Sequence, residues 1–469
     1  MTVFSRVPVI DVHSDNLGEV WPSMILALSN ASFIGIDTEL SGLGHRKKLG
    51  AKSVEDRYMN ICDTARSRSI LSLGLSCFQR MGVPSQDIEK DNNFGKNFSF
   101  IVQTFNILLL CEDDFVVEPL SLKFLVQHGF DFNKQYEKGV PYYRGPDKKD
   151  ASPIQSVRHL FSEIISMKKP VVVHNGLVDL MFLYENLYTS LPSSSATFLT
   201  DLVDIFPGGI IDTKYITEFE HLMTASYLEY VFRKCQKEND KKSNQCKIHF
   251  PHYPASYQYV TYRNCNVKPT YDVSLNPEAY KDALCVSYSG HGWCSKQSYC
   301  PLSHDIDLII DVDTFMDGRR SRKRKRRRQN KDTKEMNDIS VADGVDNDVN
   351  NAGNVANDNN GIKEHSDNSC MVTDHSEVNT AEILKRLKSD GDYIHSNGGH
   401  RAGYDAFMTG FIYAVYQTAD DTWIDKTDEW KNKLYLGGKD YPLSVSKSSF
   451  SKHSKLHLEK INRIRNHVA

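Results

Sequence analysis

Two carboxylates end a short apolar stretch near the start of the chain. The run Phe33–Ile36 is followed by Asp37-Thr38-Glu39. A β-branched run that stops on acids is typical of a buried strand in an α/β sheet, and alternation along that strand places Asp37 and Glu39 on one face. An isolated Asp-x-Glu at a strand end is often only solvated. As a pair, the two acids would bind a divalent cation such as Mg²⁺ or Mn²⁺, which prefers oxygen ligands.

Further acids follow in similar settings. Residues 170–176 form a second apolar strand and its end, and the helix that follows carries Asp179 in its first turn. Asp405 stands at the start of an apolar helix predicted over 406–415, and His400 precedes it by five residues. Together with Asp37 and Glu39, these residues predict four carboxylates and one histidine around a metal-dependent hydrolytic site.

Each of these residues also has a plain structural alternative. Asp179 could stabilise the helix dipole, Asp405 could cap its helix, and His400 could be a surface histidine. His174 and Asp212 are weaker candidates for the site, and Asp212 is expected only to end a third short strand, which begins at Gly209. The combination of the five residues, rather than any one of them, favours a catalytic site.

The acid set resembles that of the DEDD nucleases, in the subclass whose fifth residue is a histidine. Residues 37–39 resemble the first motif of that family, residues 174–179 the second and residues 400–407 the third. The second and third are similar to those of the poly(A)-specific ribonuclease and Caf-type deadenylases. The resemblance covers most of residues 8–310 and 399–452.

The resemblance implies an RNase H-like α/β fold with a mixed sheet, interrupted by a zinc finger and a disordered insertion. It implies a 3′-to-5′ exoribonuclease that shortens adenosine-rich ends of single-stranded RNA and releases 5′-nucleotides. Asp37, Glu39, Asp179 and Asp405 would hold two Mg²⁺ or Mn²⁺ ions, and His400 would be the general base. By resemblance, the RNAs include small nuclear RNAs during 3′-end maturation, and the expected location includes nuclear bodies such as Cajal bodies.

A second group of metal ligands lies between the second and third motifs. Cys285, Cys294, Cys300 and His304 have the spacing C-x8-C-x5-C-x3-H, which predicts a closed tetrahedral Zn²⁺ site. The finger resembles the CCCH family, whose members often stack RNA bases on aromatic side chains. The candidates for such stacking are Tyr288, Trp293 and Tyr299. A purely structural or protein-binding finger remains an alternative.

A dense cationic tract follows the finger. Nine of the ten residues from 319 to 328 are basic, although the whole chain carries a net charge of −3. These residues are Arg319, Arg320, Arg322, Lys323, Arg324, Lys325, Arg326, Arg327 and Arg328. The tract predicts a nuclear localisation signal read by an import receptor, an RNA-phosphate patch, or both, and a solvated run of charge is the plain alternative. The sequence points to no other protein partner.

Composition divides the chain into six parts. The stretch 329–397 is rich in Asn, Asp and Ser and poor in large apolar residues, so it is predicted to be disordered apart from a short helix over 380–388. The predicted parts are a nuclease domain (1–275), the finger (280–310), the basic tract (319–328), a disordered linker (329–397), the completing part of the nuclease domain (398–452) and a tail (453–469).

Periodicity predicts the remaining elements. Strands are expected over 70–78 and 98–110 as an antiparallel pair, and the segment 241–283 is expected to be irregular. Ser121 is the predicted N-cap of a helix that stops at Gly129. Further helices are predicted over 15–29, from 53, over 156–167 and over 226–237, and a hairpin over 434–445.

Composition sets the broad class. Of the 469 residues, 40% are hydrophobic and 25% are charged, which is typical of a globular protein. No run of 18 apolar residues occurs, so neither a transmembrane helix nor a membrane partner is expected. Met1–Asp11 has no apolar signal core, so the ten cysteines are expected to be thiols or metal ligands. Two alternatives to the ribonuclease are a catalytically idle RNA-binding adaptor and a DNA exonuclease.

Overall fold

The computed structural model describes residues 4–82, 98–148, 155–242, 245–268, 270–318, 379–390, 401–418 and 423–468. The described strands belong to one sheet. They are β1 (Arg6–Val12), β2 (Phe33–Leu40), β3 (Ile70–Arg80), β4 (Phe98–Cys111), β5 (Val140–Tyr142), β6 (Val171–Val173), β7 (Ile210–Asp212), β8 (Cys246–His249), β9 (Val260–Asn264), β10 (Lys433–Leu434) and β11 (Leu443–Ser444).

Helices precede, follow or separate these strands along the chain. They are α1 (Leu17–Asn30), α2 (Arg46–Leu49), α3 (Val54–Ser67), α4 (Pro119–Gln127), α5 (Phe132–Lys138), α6 (Val157–Ser166), α7 (Leu177–Leu183), α8 (Ser195–Ile205), α9 (Thr213–Tyr215), α10 (Leu228–Lys241), α11 (Pro277–Asp282), α12 (Val286–His291), α13 (306–318), α14 (Thr380–Asp390), α15 (Ala402–Thr418), α16 (Trp423–Trp430) and α17 (Lys455–Val468). π-Helical turns continue α7 over Tyr184–Tyr188 and α9 over Ile216–Glu220. No helix of the described chain has the length and apolar character needed to cross a membrane.

The sheet is mixed, and β2 lies near its middle. Its strand order is β11-β10-β7-β6-β2-β3-β4-β1-β9, with β5 and β8 also paired to β4. Strand β2 is parallel to β6 and antiparallel to β3, which in turn is antiparallel to β4. In this register Asp37 is opposite Gly74 and Glu39 is opposite Ser72. The predicted α/β class, the central strand and the antiparallel pair are confirmed.

Helix α15 lies across the sheet and contacts β2, β3, β4 and β6. Its side chains are buried almost all round, including those of Phe407 and Ile412, as expected for a helix that is apolar on every face. Gly35 of β2 allows the close approach, because a Cβ atom there would stand 2.3 Å from the carbonyl oxygen of Ala406. The predicted helix therefore forms and packs on the predicted strand.

The chain divides into two compact units. The first comprises the described residues of Met1–Pro269, Val286–Tyr299 and Ser389–Ala469, and it contains the sheet. The second comprises those of Thr270–Cys285 and Cys300–Lys388. Within the second unit, Ala279 and Ala283 pack against Ile383 of α14, the short helix predicted inside the linker.

Several predicted elements need correction. The segment 241–283 is not irregular throughout, because it contains β8, β9 and α11. Strands β8 and β9 are short, and each pairs with one strand. Such short segments contain too few apolar residues for their sequence to indicate a strand. Helix α4 begins at Pro119 and not after Ser121, because proline at the first helical position already has a helical φ angle; Glu118 stands at the N-cap position without a capping hydrogen bond. Residues 455–468, for which no element is predicted, form α17.

Candidate active site

The carboxylates of Asp37, Glu39 and Asp405 converge where β2, near the middle of the sheet, meets α15. Asp37 and Glu39 lie in the second half of β2, and Asp405 lies in the first turn of α15. One oxygen atom of each side chain lies within 4.8 Å of the oxygen atoms from the other two. Asp405 is 5% exposed. The structure thus brings together three of the four predicted acids from distant parts of the chain.

The fourth acid, Asp179, lies beside this group in the first turn of α7. The hydroxyl of Thr38, between the two acids of β2, donates a hydrogen bond of 2.5 Å to Oδ1 of Asp179. Burial raises the pKa of Asp179 to about 6, and this hydrogen bond opposes the rise. Thr38 therefore ties α7 to the strand that carries Asp37 and Glu39.

The four acids act on one another electrostatically. Burial raises the pKa of Asp37 well above its ordinary value, and the charges of Asp405, Asp179 and Glu39 raise it further. Carboxylates so placed repel each other unless a cation or a proton lies among them. Because all of the donors are carboxylate oxygens, the group fits Mg²⁺ or Mn²⁺.

The first turn of α15 is anchored to the sheet beside the acids. The guanidinium group of Arg401 forms an ion pair with Asp11 of β1. The backbone N–H of Gly403 donates to Oδ1 of Asn106 on β4 at 3.1 Å. The carbonyl of Arg401 accepts the N–H of Asp405 at 2.9 Å. These contacts fix the position from which Asp405 reaches the other acids.

Asp212 ends β7, as expected, and its carboxylate binds backbone N–H groups. It is fully buried, and it accepts hydrogen bonds from the N–H groups of Asn175, Lys214 and Tyr435 at 2.8, 3.0 and 2.9 Å. Asn175 has a φ of 61°, so this contact stabilises a strained turn just before α7. In this structure Asp212 supports the element that carries Asp179.

His174 also has structural partners. Its Nδ1 atom lies 2.9 Å from the hydroxyl of Thr213, and its Nε2 atom lies 2.9 Å from the carbonyl oxygen of Ser226. Burial and the charge of Lys214 lower the pKa of His174 to about 3. The imidazole is therefore neutral and holds β6 against the segment before α10.

Three of the four predicted zinc ligands lie together in the second unit. One ligand atom from each of Cys285, Cys300 and His304 lies within 4.8 Å of the others. Cys294 belongs to the first unit. Thiolate sulfur and imidazole nitrogen are ligands that suit Zn²⁺, and the closed four-ligand finger stays a prediction.

The three aromatic candidates near this cluster differ in exposure. Tyr299 is 91% exposed and Trp293 is 46% exposed. The ring of Tyr288 is partly buried and lies 6.1 Å from that of Tyr227. The rings of Trp293 and Tyr299 are therefore more accessible to solvent than the ring of Tyr288.

Some predicted residues lie outside the described part of the chain. They include His400, the whole basic tract from Arg319 to Arg328, and the linker apart from residues 379–390. The roles assigned to them remain predictions. Arg401, directly after His400, is described and belongs to the anchor of α15.

Sequence reasoning missed three residues that support the site. Thr38 stands between the two acids of the first motif, and its position alone could have drawn attention to it. Arg401 follows His400, but nothing in the sequence indicates Asp11 as its partner, 390 positions earlier. Asn106 gives no sequence signal, since it lies within an apolar strand.

Comparison with known proteins gives a family match over most of the chain. The sequence profile of the CAF1 family ribonucleases matches residues 12–156 and 147–413. The Schizosaccharomyces pombe protein C29A10.09c is 34% identical over 140 residues, which are 28% of this chain and 30% of that protein. Mouse poly(A)-specific ribonuclease PNLDC1 is 28% identical over 151 residues, 30% of this chain and 26% of that protein. Each match therefore spans less than a third of the relative's length.

A solved structure is also similar. The Mg²⁺- and Mn²⁺-bound form of S. pombe Pop2p superposes with a TM-score of 0.37 and 19% sequence identity. The superposition covers 49% of this chain and 82% of that chain.

Proposed function

The chain belongs to the CAF1 ribonuclease family, and from this premise we propose that it is a metal-dependent exoribonuclease. It removes nucleotides from the 3′ end of single-stranded RNA and releases 5′-nucleotides. The observation that carries the proposal is the convergence of Asp37, Glu39 and Asp405 within 4.8 Å of one another. A catalytically idle RNA-binding adaptor would have no need for such a mutually repelling group.

The acids are the proposed ligands of two divalent ions, Mg²⁺ or Mn²⁺. Asp37, Glu39 and Asp405 form the group, and Asp179 lies beside it through Thr38. Two such ions, when bound, supply an activated water and charge stabilisation at the leaving oxygen. The protein's own part is to hold the four carboxylates in place, which the β2 register and the anchored first turn of α15 do.

His400 is the proposed general base. It precedes Arg401, whose side chain is tied to Asp11, so the backbone entering α15 is held at this point. A histidine with an ordinary pKa near neutrality accepts the proton of the attacking water at physiological pH. The Arg401 contact would then help to position both His400 and Asp405.

The proposed substrate is an adenosine-rich 3′ tail. The support comes from the resemblance to deadenylases and from the name of the relative PNLDC1, a poly(A)-specific ribonuclease. The Cys285–His304 finger is the proposed Zn²⁺-dependent capture site for longer RNA, with Trp293 and Tyr299 as stacking residues. The Cys294→Ser variant should lose Zn²⁺ and bind long RNA less well, while it still cleaves short oligomers.

The proposed site of action is the nucleus, where the RNAs would include small nuclear RNAs during 3′-end maturation. The basic tract supports this, since a segment with nine positive charges in ten residues is of the type that import receptors bind. Within the family, the chain resembles the Target-of-Egr nuclear deadenylase over residues 39–44, 68–75 and 127–130 and in its finger. That resemblance is the basis for proposing nuclear bodies, including Cajal bodies, as a location.

One experiment separates the proposed activity from its alternatives. Purified protein is incubated with end-labelled RNA and DNA oligomers that carry different 3′ ends, in Mg²⁺. We expect stepwise 3′ shortening of RNA, fastest on adenosine tails, and loss of cleavage in Asp37→Asn and Asp405→Asn with the fold retained. The exposed Asp428→Asn variant is the matched control. RNA binding without any cleavage would identify an adaptor, and faster cleavage of DNA would identify a DNA exonuclease.

A further inference from the structure

A second group of histidines and carboxylates lies between α8 and α17, apart from the nuclease acids and the finger. Ligand atoms of Asp201, His453 and His457 lie within 4.8 Å of one another. Asp204, one helical turn after Asp201, contributes a second carboxylate. Its Oδ2 atom lies 3.7 Å from Nε2 of His453 and 3.6 Å from Nε2 of His457.

The partners of His457 define its tautomer. Nδ1 of His457 lies 3.0 Å from the hydroxyl oxygen of Tyr188, and that hydroxyl donates its own proton to the carbonyl of His457 at 3.4 Å. With the hydroxyl proton directed to that carbonyl, the hydroxyl oxygen accepts from Nδ1 of His457, and this tautomer leaves a lone pair on Nε2. His457 is 0% exposed, and its Nε2 atom is buried without a hydrogen-bond partner.

His453 has the same arrangement. Its Nδ1 atom lies 3.2 Å from Oδ1 of Asp201, which fixes the proton on Nδ1. The carboxylate of Asp201 is held in place, because it also accepts from the N–H of Ser454 at 3.1 Å and from the hydroxyl of Tyr184 at 2.8 Å. A carboxylate that orients a histidine in this way is the usual support of a histidine metal ligand.

Three electron-rich atoms therefore face one another. Both Nε2 atoms lie within 3.7 Å of Oδ2 of Asp204, and in the tautomers protonated on Nδ1 each Nε2 atom has a lone pair available for an ion. A guanidinium nitrogen of Arg465 lies 3.7 Å from the same oxygen, on a side chain that is 53% exposed. A buried lone pair without a hydrogen-bond donor lowers the free energy of unfolding unless a positive ion binds it.

We propose that His453, His457 and Asp204 bind one Zn²⁺ ion, with Asp201 and Tyr188 as the residues that orient the two imidazoles. In a tetrahedral site with ligands about 2.0–2.1 Å from the ion, neighbouring ligand atoms are about 3.3–3.4 Å apart. The measured 3.6 and 3.7 Å are within a few tenths of an ångström of this value. The fourth position is left to water, because the side chain of Asp204 is 29% exposed.

The expected consequence is structural. Helix α17 carries His457, and His453 lies just before its first residue, whereas Asp201 and Asp204 belong to α8. An ion held by residues of both segments would fix α17 on α8 within the first unit. This inference does not depend on the proposed nuclease activity, since none of its ligands belongs to the acid group.

The test is the zinc content of the untagged full-length protein, measured by mass spectrometry of the metal after dialysis against buffer with excess Mg²⁺. We expect His453→Ser to contain one equivalent of zinc less than the wild type. The matched control is His159→Ser, which removes a histidine paired with Glu163 at 3.1 Å on another helix. His457→Gln should show the same loss, and His453→Ser keeps the test valid if the buried His457 variant fails to fold.

Spectroscopy of the Co²⁺-substituted protein adds a second readout. The cysteine site has a thiolate charge-transfer band, so His453→Ser should keep that band and lose only the weaker absorption of a nitrogen and oxygen site. Unchanged zinc content in His453→Ser would overturn the proposal. So would a second equivalent of zinc that disappears in Asp37→Asn instead, because it would then belong to the nuclease acids.

Discussion

The carbonyl oxygen of Ala402 lies directly over Gly74, the residue that pairs with Asp37 across β2 and β3. A Cβ atom at Gly74 would stand 1.8 Å from that oxygen and 2.5 Å from the N–H nitrogen of Gly403. The first turn of α15 therefore rests on the sheet at the position that pairs with Asp37. The distance between Asp37 and Asp405 depends on the absence of a side chain at Gly74.

Gly74→Ala should consequently separate the acids. The added methyl group meets backbone atoms, which have little room to move. We therefore expect the free energy of unfolding to fall by about 1–3 kcal/mol or more. Cleavage of RNA should fall more than stability explains, since Asp405 moves away from Asp37. The measurements are denaturant unfolding and the single-turnover rate on a short RNA.

Gly82→Ala is the control for this prediction. A Cβ atom at Gly82 would have no neighbour within 4 Å, so its stability and rate should match those of the wild type. If Gly74→Ala retained full activity, the position of α15 would not depend on this contact.

Thr38→Val should weaken the site without unfolding the protein. The substitution keeps the shape of the side chain and removes the hydroxyl that donates to Asp179. Residues that orient metal ligands typically contribute roughly 10–100-fold to metal affinity or activity, and we expect a loss of that size. The measurement is the dependence of the cleavage rate on Mg²⁺ concentration, which should shift to higher Mg²⁺.

A threonine elsewhere in the sheet provides the comparison. Thr104 of β4 is buried, and its hydroxyl lies 2.9 Å from that of Ser76, which pairs with Gly35 of β2 and not with either acid. Thr104→Val should leave the Mg²⁺ dependence unchanged. Equal behaviour of the two variants would show that Thr38 has no particular role at Asp179.

The ion pair of Asp11 and Arg401 should affect catalysis through position alone. Neither side chain belongs to the acid group, but the pair anchors the residue that follows His400 and precedes α15. A displacement of about 1 Å at a reacting group can cost 10²-fold in rate. We therefore expect Asp11→Asn and Arg401→Gln each to reduce the turnover rate by roughly tenfold or more, with little change in KM.

The double variant tests whether the two residues act as a pair. Asp11→Asn combined with Arg401→Gln should lose little more activity than either single variant, because both remove the same contact. Additive losses would mean that each residue acts separately. Lys431 and Asp428 form an exposed pair, so Asp428→Asn is the control and should have wild-type kinetics.

Much of this site was predictable because its signals are local. Asp37 and Glu39 end an apolar strand, Asp179 and Asp405 begin apolar helices, and the structure places all four as those patterns indicate. The position of Asp212 as the last residue of its strand was also expected. Each prediction used only a few consecutive residues, where hydrophobic period and chain direction decide the outcome.

The parts that escaped prediction depend on pairs that are distant in sequence. Strand β9 forms because Val260–Asn264 pairs with β1, which lies more than 240 residues earlier. Strand β8 does show alternation, with Cys246 and Ile248 buried between exposed neighbours, but four residues are too few to predict a strand from it. Helix α17 is polar overall, and Ile461 on it is buried because the fold brings α17 against α6 and α8, which are distant in sequence.

The neutral state of His174 gives a pH dependence of stability. Its pKa is about 3 in the folded protein because burial and the nearby Lys214 disfavour the charged imidazole, whereas an unfolded histidine has a pKa near 6.5. Between these values the unfolded chain binds more protons than the folded one, so the free energy of unfolding falls as the pH drops below about 6.5. At pH 5 this residue accounts for at most about 2 kcal/mol of the loss.

His174→Gln removes the titrating group while its amide still reaches Thr213 and Ser226. We expect the variant to lose less stability than the wild type between pH 7.5 and pH 5, as measured by urea unfolding at several pH values. His159→Gln, at a partly exposed histidine on α6, should follow the wild-type profile. Parallel profiles for wild type and His174→Gln would place the acid sensitivity in other residues, and His174 would then be charged or solvated in the folded protein.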